Sequence, residues 1–159
     1  MKASLKVKID KLPDLLGQLQ DLSQSDVLVG IPDSDPGRKD GPASNALIGY
    51  IQETGSPSQN IPARPFLVPG VSDASEALAD RMGRAASDAL SGASPQKQLM
   101  AAGFTGQNAV RRKINTGPFQ QLSPVTLAQR RARGRTGTKP LIDTGQLRNS
   151  IAFVIRKRK

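Results

Sequence analysis

Near the start of the chain, Leu5, Val7 and Ile9 alternate with Lys6 and Lys8, the period of a strand with one buried face. The period then lengthens. Leu12, Leu15, Leu16, Leu19 and Leu22 recur at helical spacing, and Pro13 is tolerated in a first turn, where its missing N–H has no intrahelical partner. Residues 27–31 form a short apolar run stopped by Pro32, so the opening predicts strand, helix, strand. Residues 33–44 are dense in Asp, Gly and Pro and predict a loop. Residues 46–53 predict a short helix, with a strand as the competing reading, and residues 54–63 a second loop.

Pro65, Phe66, Leu67 and Val68 predict an extended apolar stretch ending at Pro69-Gly70. Ser72 with Asp73 makes a helix start, continued by Val71, Ala74, Leu78, Met82, Ala85 and Ala89 on one stripe and closed by Gly92 and Pro95. A second helix over 96–115 carries Gly103, Gly106, Val110 and Ile114 on one face, small enough to admit a close neighbour. Gly117-Pro118 breaks it. Ser123-Pro124 pairs an N-cap with Pro at the first helical position and predicts a short helix to about Arg133. Residues 131–140 hold no large apolar side chain and predict a mobile basic loop. Thr144 can cap a last turn through Ser150, and Ile151, Phe153 and Ile155 alternate as a closing strand. The expected fold class is α+β, a small mixed or antiparallel sheet flanked by helices. It occupies a single domain over residues 1–155, with long loops at 33–44, 54–63 and 131–140 and a basic tail at 156–159.

Composition narrows what such a fold can do. The apolar share is 36%, aromatics are only 3%, and Gly and Pro number 15 and 12. A thin aliphatic core with long loops suits a subunit that gains stability by burying surface against neighbours. The chain has no Cys and no His, which removes thiol nucleophiles, the commonest general base and the usual zinc and haem ligands. The expectation is therefore no catalytic residue, no cofactor and no metal. No apolar run approaches a membrane span and no signal-peptide core is visible, so a soluble protein not exported by the usual route is expected.

Charge is distributed unevenly. Residues 1–100 carry 10 Lys/Arg and 12 Asp/Glu, whereas residues 101–159 carry 13 Lys/Arg and the single acid Asp143. Thirteen like charges repel unless a counter-charge is supplied, which points to an acidic partner: nucleic acid, a membrane surface or another subunit. Arg111, Arg112 and Lys113 are explained by a helix C-terminus, which favours cations. Arg130, Arg131, Arg133, Arg135 and Lys139 exceed that need and are the candidate residues for facing an acidic partner or DNA. No zinc finger or RNP-type aromatic signature accompanies them, so any nucleic-acid contact is expected to be nonspecific.

Three motifs are set aside. Residues 141–145 (Leu-Ile-Asp-Thr-Gly) resemble an aspartic-protease loop, yet too little chain follows for that fold, and Asp143-Thr144 reads better as turn and capping chemistry. In residues 134–139 the Gly-Lys adjacency of a phosphate loop is broken by Thr138. Asp33, Asp35 and Gly37 lack the bidentate Glu of a calcium loop, with Ser44 in its place.

Four segments in order carry a resemblance. They are Ile48-Gly49-Tyr50-Ile51-Gln52-Glu53-Thr54-Gly55, Ile61-Pro62-Ala63-Arg64-Pro65-Phe66-Leu67, Leu122-Ser123-Pro124-Val125-Thr126-Leu127-Ala128, and residues 139–151 (Lys-Pro-Leu-Ile-Asp-Thr-Gly-Gln-Leu-Arg-Asn-Ser-Ile). Together, across about residues 45–155, they resemble the small neck and tail-completion proteins of long-tailed bacteriophages, including the virion-morphogenesis proteins of Mu-like phages. The resemblance implies a non-enzymatic structural role: a ring of identical subunits, six being the expected number, that caps the tail tube and docks it to the head connector and stopper proteins. It implies a place in the virion at the head–tail junction after assembly in the host bacterial cytoplasm, contact with DNA in the channel as a further expectation, and no membrane. It also implies an α+β fold. Arg64, Phe66 and Leu67 are then the expected subunit interface, because a stiff Arg-Pro-Phe presents a cation and an aromatic of the kind interfaces favour. A plainer reading stands beside it, with Phe66 plugging the core and Arg64 on the surface. From a different class, the alternative function is a nonspecific nucleic-acid-binding protein acting through the basic third.

Overall fold

The computed structural model describes residues 11–32 and 43–158. The alternating stretch at Leu5, Val7 and Ile9 and most of the 33–44 loop lie outside them. Helix α1 (Leu12–Ser23) leads into strand β1 (Ser25–Gly30), as the leucine stripe and the following apolar run predict. Helix α2 (Asn45–Thr54) settles the competing readings of 46–53 in favour of helix, and the Ser44 hydroxyl caps it by accepting from the Leu47 N–H. Next come α3 (Leu67–Ser72), α4 (Ser75–Leu90), α5 (Gln96–Thr116), α6 (Pro124–Ala132), α7 (Gln146–Asn149) and strand β2 (Ala152–Lys157). The class is α+β, with a two-stranded antiparallel sheet among the described residues.

One element corrects the sequence reading. Residues 67–72 are helical rather than extended, and α4 begins at Ser75 rather than at Ser72. Pro69 suggested a break, but it sits in the first turn of α3, where a missing N–H costs nothing. The other opening N–H groups of that turn are capped from outside by Glu53, as described below.

Helix α5 is the axis of the molecule. It packs against α3, α4, β1 and β2, and its buried residues are Leu99, Ala102, Gly103, Gly106, Val110 and Ile114. In the sheet Val29 lies opposite Phe153, and these two side chains cover Gly106 and Gly103, one turn apart on α5. The close approach needs glycine: a Cβ at Gly103 would collide with the Phe153 ring. Gly103→Ala is therefore expected to lose about 1–2 kcal/mol, the overpacking strain outweighing the gain in helix propensity. Urea unfolding checks this, and adding Phe153→Ala should cancel most of the alanine's strain; an additive double mutant would place the strain elsewhere. On the outer face of the ribbon, Leu28 and Val154 are paired and exposed.

The main core lies at the other end of α5. Phe66, Val110, Ile114, Leu141, Leu147 and Ile151 form one buried cluster, flanked by Ile48, Leu67, Val71 and Ile142. Phe66, at 1% exposure, is therefore closed to a neighbouring subunit, whereas Leu67 is half-buried against the same cluster. Of the two readings, the core plug is the one realised for Phe66. Arg64 departs from both, because it too is buried, at 6% exposure.

Candidate functional site

The four segments that carry the resemblance converge on one cleft of about 470 Å³ beside this core. The last turn of α2 supplies Gln52 and Glu53. Gly55, at φ 78°, then reverses the chain, and a Cβ there would meet the Ala63 backbone nitrogen at 2.8 Å, so only glycine fits the turn. A bridge between Ser56 and Ile61 closes the reversal, and the Arg64 N–H donates to the Gln52 carbonyl at 2.6 Å. The Glu53 carboxylate completes the junction by accepting the backbone N–H groups of Phe66, Leu67 and Val68 at 2.6, 2.8 and 3.0 Å. An acid in the last turn of α2 is unfavourable to that helix's own dipole; it is retained for the opening turn of α3.

Arg64 ties in the third segment. Its Nε donates to the Gln120 carbonyl at 2.8 Å, and its terminal nitrogens donate to Gln121 O and Gln52 Oε1, both at 3.3 Å. Two residues on, the Ser123 hydroxyl caps α6 through the Thr126 N–H, as the Ser-Pro signature predicts. Burial first, and the neighbouring Arg130 charge second, pull the Arg64 guanidinium below its ordinary value.

Arg130 and Asp143 organise the fourth segment. One terminal nitrogen of Arg130 donates to the carbonyls of Gly137, Lys139 and Ile142 at 3.0, 3.0 and 2.9 Å. Its Nε stands 3.6 Å from Asp143, which also pairs with Arg135. Residues 131–140 are thus not a free basic loop: α6 takes in Arg131 and Ala132, and the remainder is gathered around one guanidinium. Asp143 serves a turn, and Thr144 Oγ1 accepts the Gln146 N–H at 3.4 Å. Asp143→Asn should weaken this gathering by about 1–2 kcal/mol, accelerating trypsin cleavage within 131–139 several-fold over wild type. Unchanged cleavage would show that the pair does not hold the segment.

The five basic candidates therefore separate. Arg130 and Arg135 turn inward, whereas Arg131, Arg133 and Lys139 are exposed, Lys139 with its ammonium 3.3 Å from the Asn115 carbonyl. The supposed tail is corrected as well, since Arg156 and Lys157 belong to β2. Acids of the first part of the chain answer bases of the last third: Asp21 with Lys157, Asp26 with Arg158 and Asp73 with Lys113, each at 2.8 Å. Charge separated along the sequence is partly rejoined in space. Each such exposed pair contributes little stability, but the outward charge is smaller than the sequence sum. Arg111 donates to the Ile151 carbonyl at 2.8 Å, bracing the start of β2.

No known family model, characterised protein or solved structure matches the chain. Among the described residues no three His, Cys, Asp or Glu side chains gather as metal ligands, and no helix is long and apolar enough to cross a membrane.

Proposed function

We propose that this chain is a structural subunit of the bacteriophage neck, a tail-completion or terminator protein whose copies form a ring, six in number, joining the tail tube to the head connector. It acts by surface complementarity, without chemistry or cofactor, in the virion. One observation supports this reading above the others: the four resembling segments, scattered between residues 48 and 151, meet around a single cleft and build its walls and floor. Residues that resemble a family only in order along a chain gain weight when they also form one physical unit. Purified protein mixed with phage tails should decorate one end of the tube in negative-stain images; tails that stay bare would remove the proposal.

The alternative, nonspecific nucleic-acid binding, draws on Arg112, Arg131 and Arg133, which are exposed and have no ion pair among the described residues. These are few. Affinity for duplex DNA at physiological salt is expected to be weak with a shallow salt slope, because log K scales with the number of phosphates neutralised. Tight binding with a steep slope would favour the alternative.

A further inference from the structure

Arg64 is a buried cation with no carboxylate partner among the described residues. All three of its hydrogen-bond acceptors are neutral: two backbone carbonyls and the Gln52 side-chain amide. Buried charges are ordinarily paired, because removing an ion from water is costly unless an opposite charge or a full set of hydrogen bonds replaces the solvent. The guanidinium has further N–H groups beyond those three bonds. Arg130, which lines the same cleft, adds a second positive charge, and the one acid lining it among the described residues, Asp143, is already shared between Arg130 and Arg135. The cleft therefore holds more cation than anion. Gln52 is the telling residue. Its Oε1 already contacts Arg64 at 3.3 Å, so an isosteric Glu would supply an internal carboxylate, and the chain carries the amide instead.

We infer that the cleft is a carboxylate-binding site, in which Arg64, beside the Asp143-paired Arg130, receives an acidic side chain from a partner protein. The rest of the lining specifies the partner's chemistry. Ile48, Ile61, Pro62 and Leu122 face the same space as the arginines, and about 470 Å³ exceeds what one free anion fills. An Asp or Glu flanked by aliphatic residues satisfies both parts. A nucleic-acid strand presents repeated phosphates flanked by sugars rather than aliphatic side chains, and suits the exposed Arg131 and Arg133 instead. The inference stands on the cleft and not on the neck assignment.

The test compares acetyl-Leu-Glu-Leu-amide with acetyl-Leu-Gln-Leu-amide by titration calorimetry and by the Arg side-chain Nε–H resonances, at matched ionic strength. The Glu peptide should bind at least about tenfold tighter, as expected for charge-assisted over neutral hydrogen bonds, and should shift the Arg64 resonance. In Gln52→Glu the preference should vanish while thermal stability is kept or raised, since the tethered carboxylate occupies Arg64. Equal binding of the two peptides to wild type overturns the inference, whether or not the variant folds. So does a preference that survives in Gln52→Glu. Inorganic phosphate or a short oligodeoxythymidylate binding more tightly than the Glu peptide would likewise overturn it, marking a free-anion or nucleic-acid site.

Discussion

Replacing Phe66 with alanine is expected to lower stability by about 3–5 kcal/mol, the range for truncating a fully buried aromatic. The ring is 1% exposed and packed in one cluster with Val110 and Ile114 of α5 and with Leu141, Leu147 and Ile151 of the fourth segment. Its removal leaves a cavity where three of the four resembling segments meet, and the surrounding helices can relax into it only in part. A urea titration should show the midpoint falling with the slope unchanged, as for loss of packing without loss of cooperativity. A loss under about 1 kcal/mol is the value for a residue outside the core, and would return Phe66 to the interface role that the Arg-Pro-Phe motif suggests.

The second large effect is expected at Glu53. In Glu53→Gln one of the two carboxylate oxygens becomes an NH2, which sets a donor against the donors of α3 and discards the charge that strengthened the bonds to Phe66, Leu67 and Val68. The cost should be about 2–3 kcal/mol, because three charge-assisted bonds become neutral ones and at least one N–H loses its acceptor. Hydrogen exchange isolates the effect, since the amides of Leu67 and Val68 should lose protection by about 30- to 100-fold if local opening carries the cost. Unchanged protection in the variant would show that α3 is held by packing alone.

Much of the fold is legible in the sequence where one local rule dominates. The Leu12–Leu22 stripe, the Ser123-Pro124 start of α6 and the small face of α5 read correctly because periodicity and capping act within a few residues. Helix α3 does not, since what makes Leu67–Ser72 helical is a carboxylate 13 or more positions upstream. A signal for it exists: Glu53 sits in the last turn of α2, where the helix dipole disfavours an acid, so a partner beyond that helix is implied. The basic third misleads for a related reason. Counting charges along a chain treats them as a surface, yet Arg130 and Arg135 fold inward onto Asp143, and Lys113, Lys157 and Arg158 meet acids from the first half of the chain. Arg64 is the sharpest case. Its motif marks it as special, but only burial together with three neutral acceptors identifies the unbalanced charge that distinguishes the cleft.

A thin core and a cleft in which Arg64 has only neutral partners among the described residues both suit a chain that completes itself against neighbours. The most direct test is native mass spectrometry of the protein, alone and after incubation with purified tail tubes. The ring account predicts a closed species of about six times the 16.9 kDa subunit mass, present in one of the two conditions and absent from tube preparations that lack the protein. A monomer in both conditions, with tubes unaltered, would contradict it.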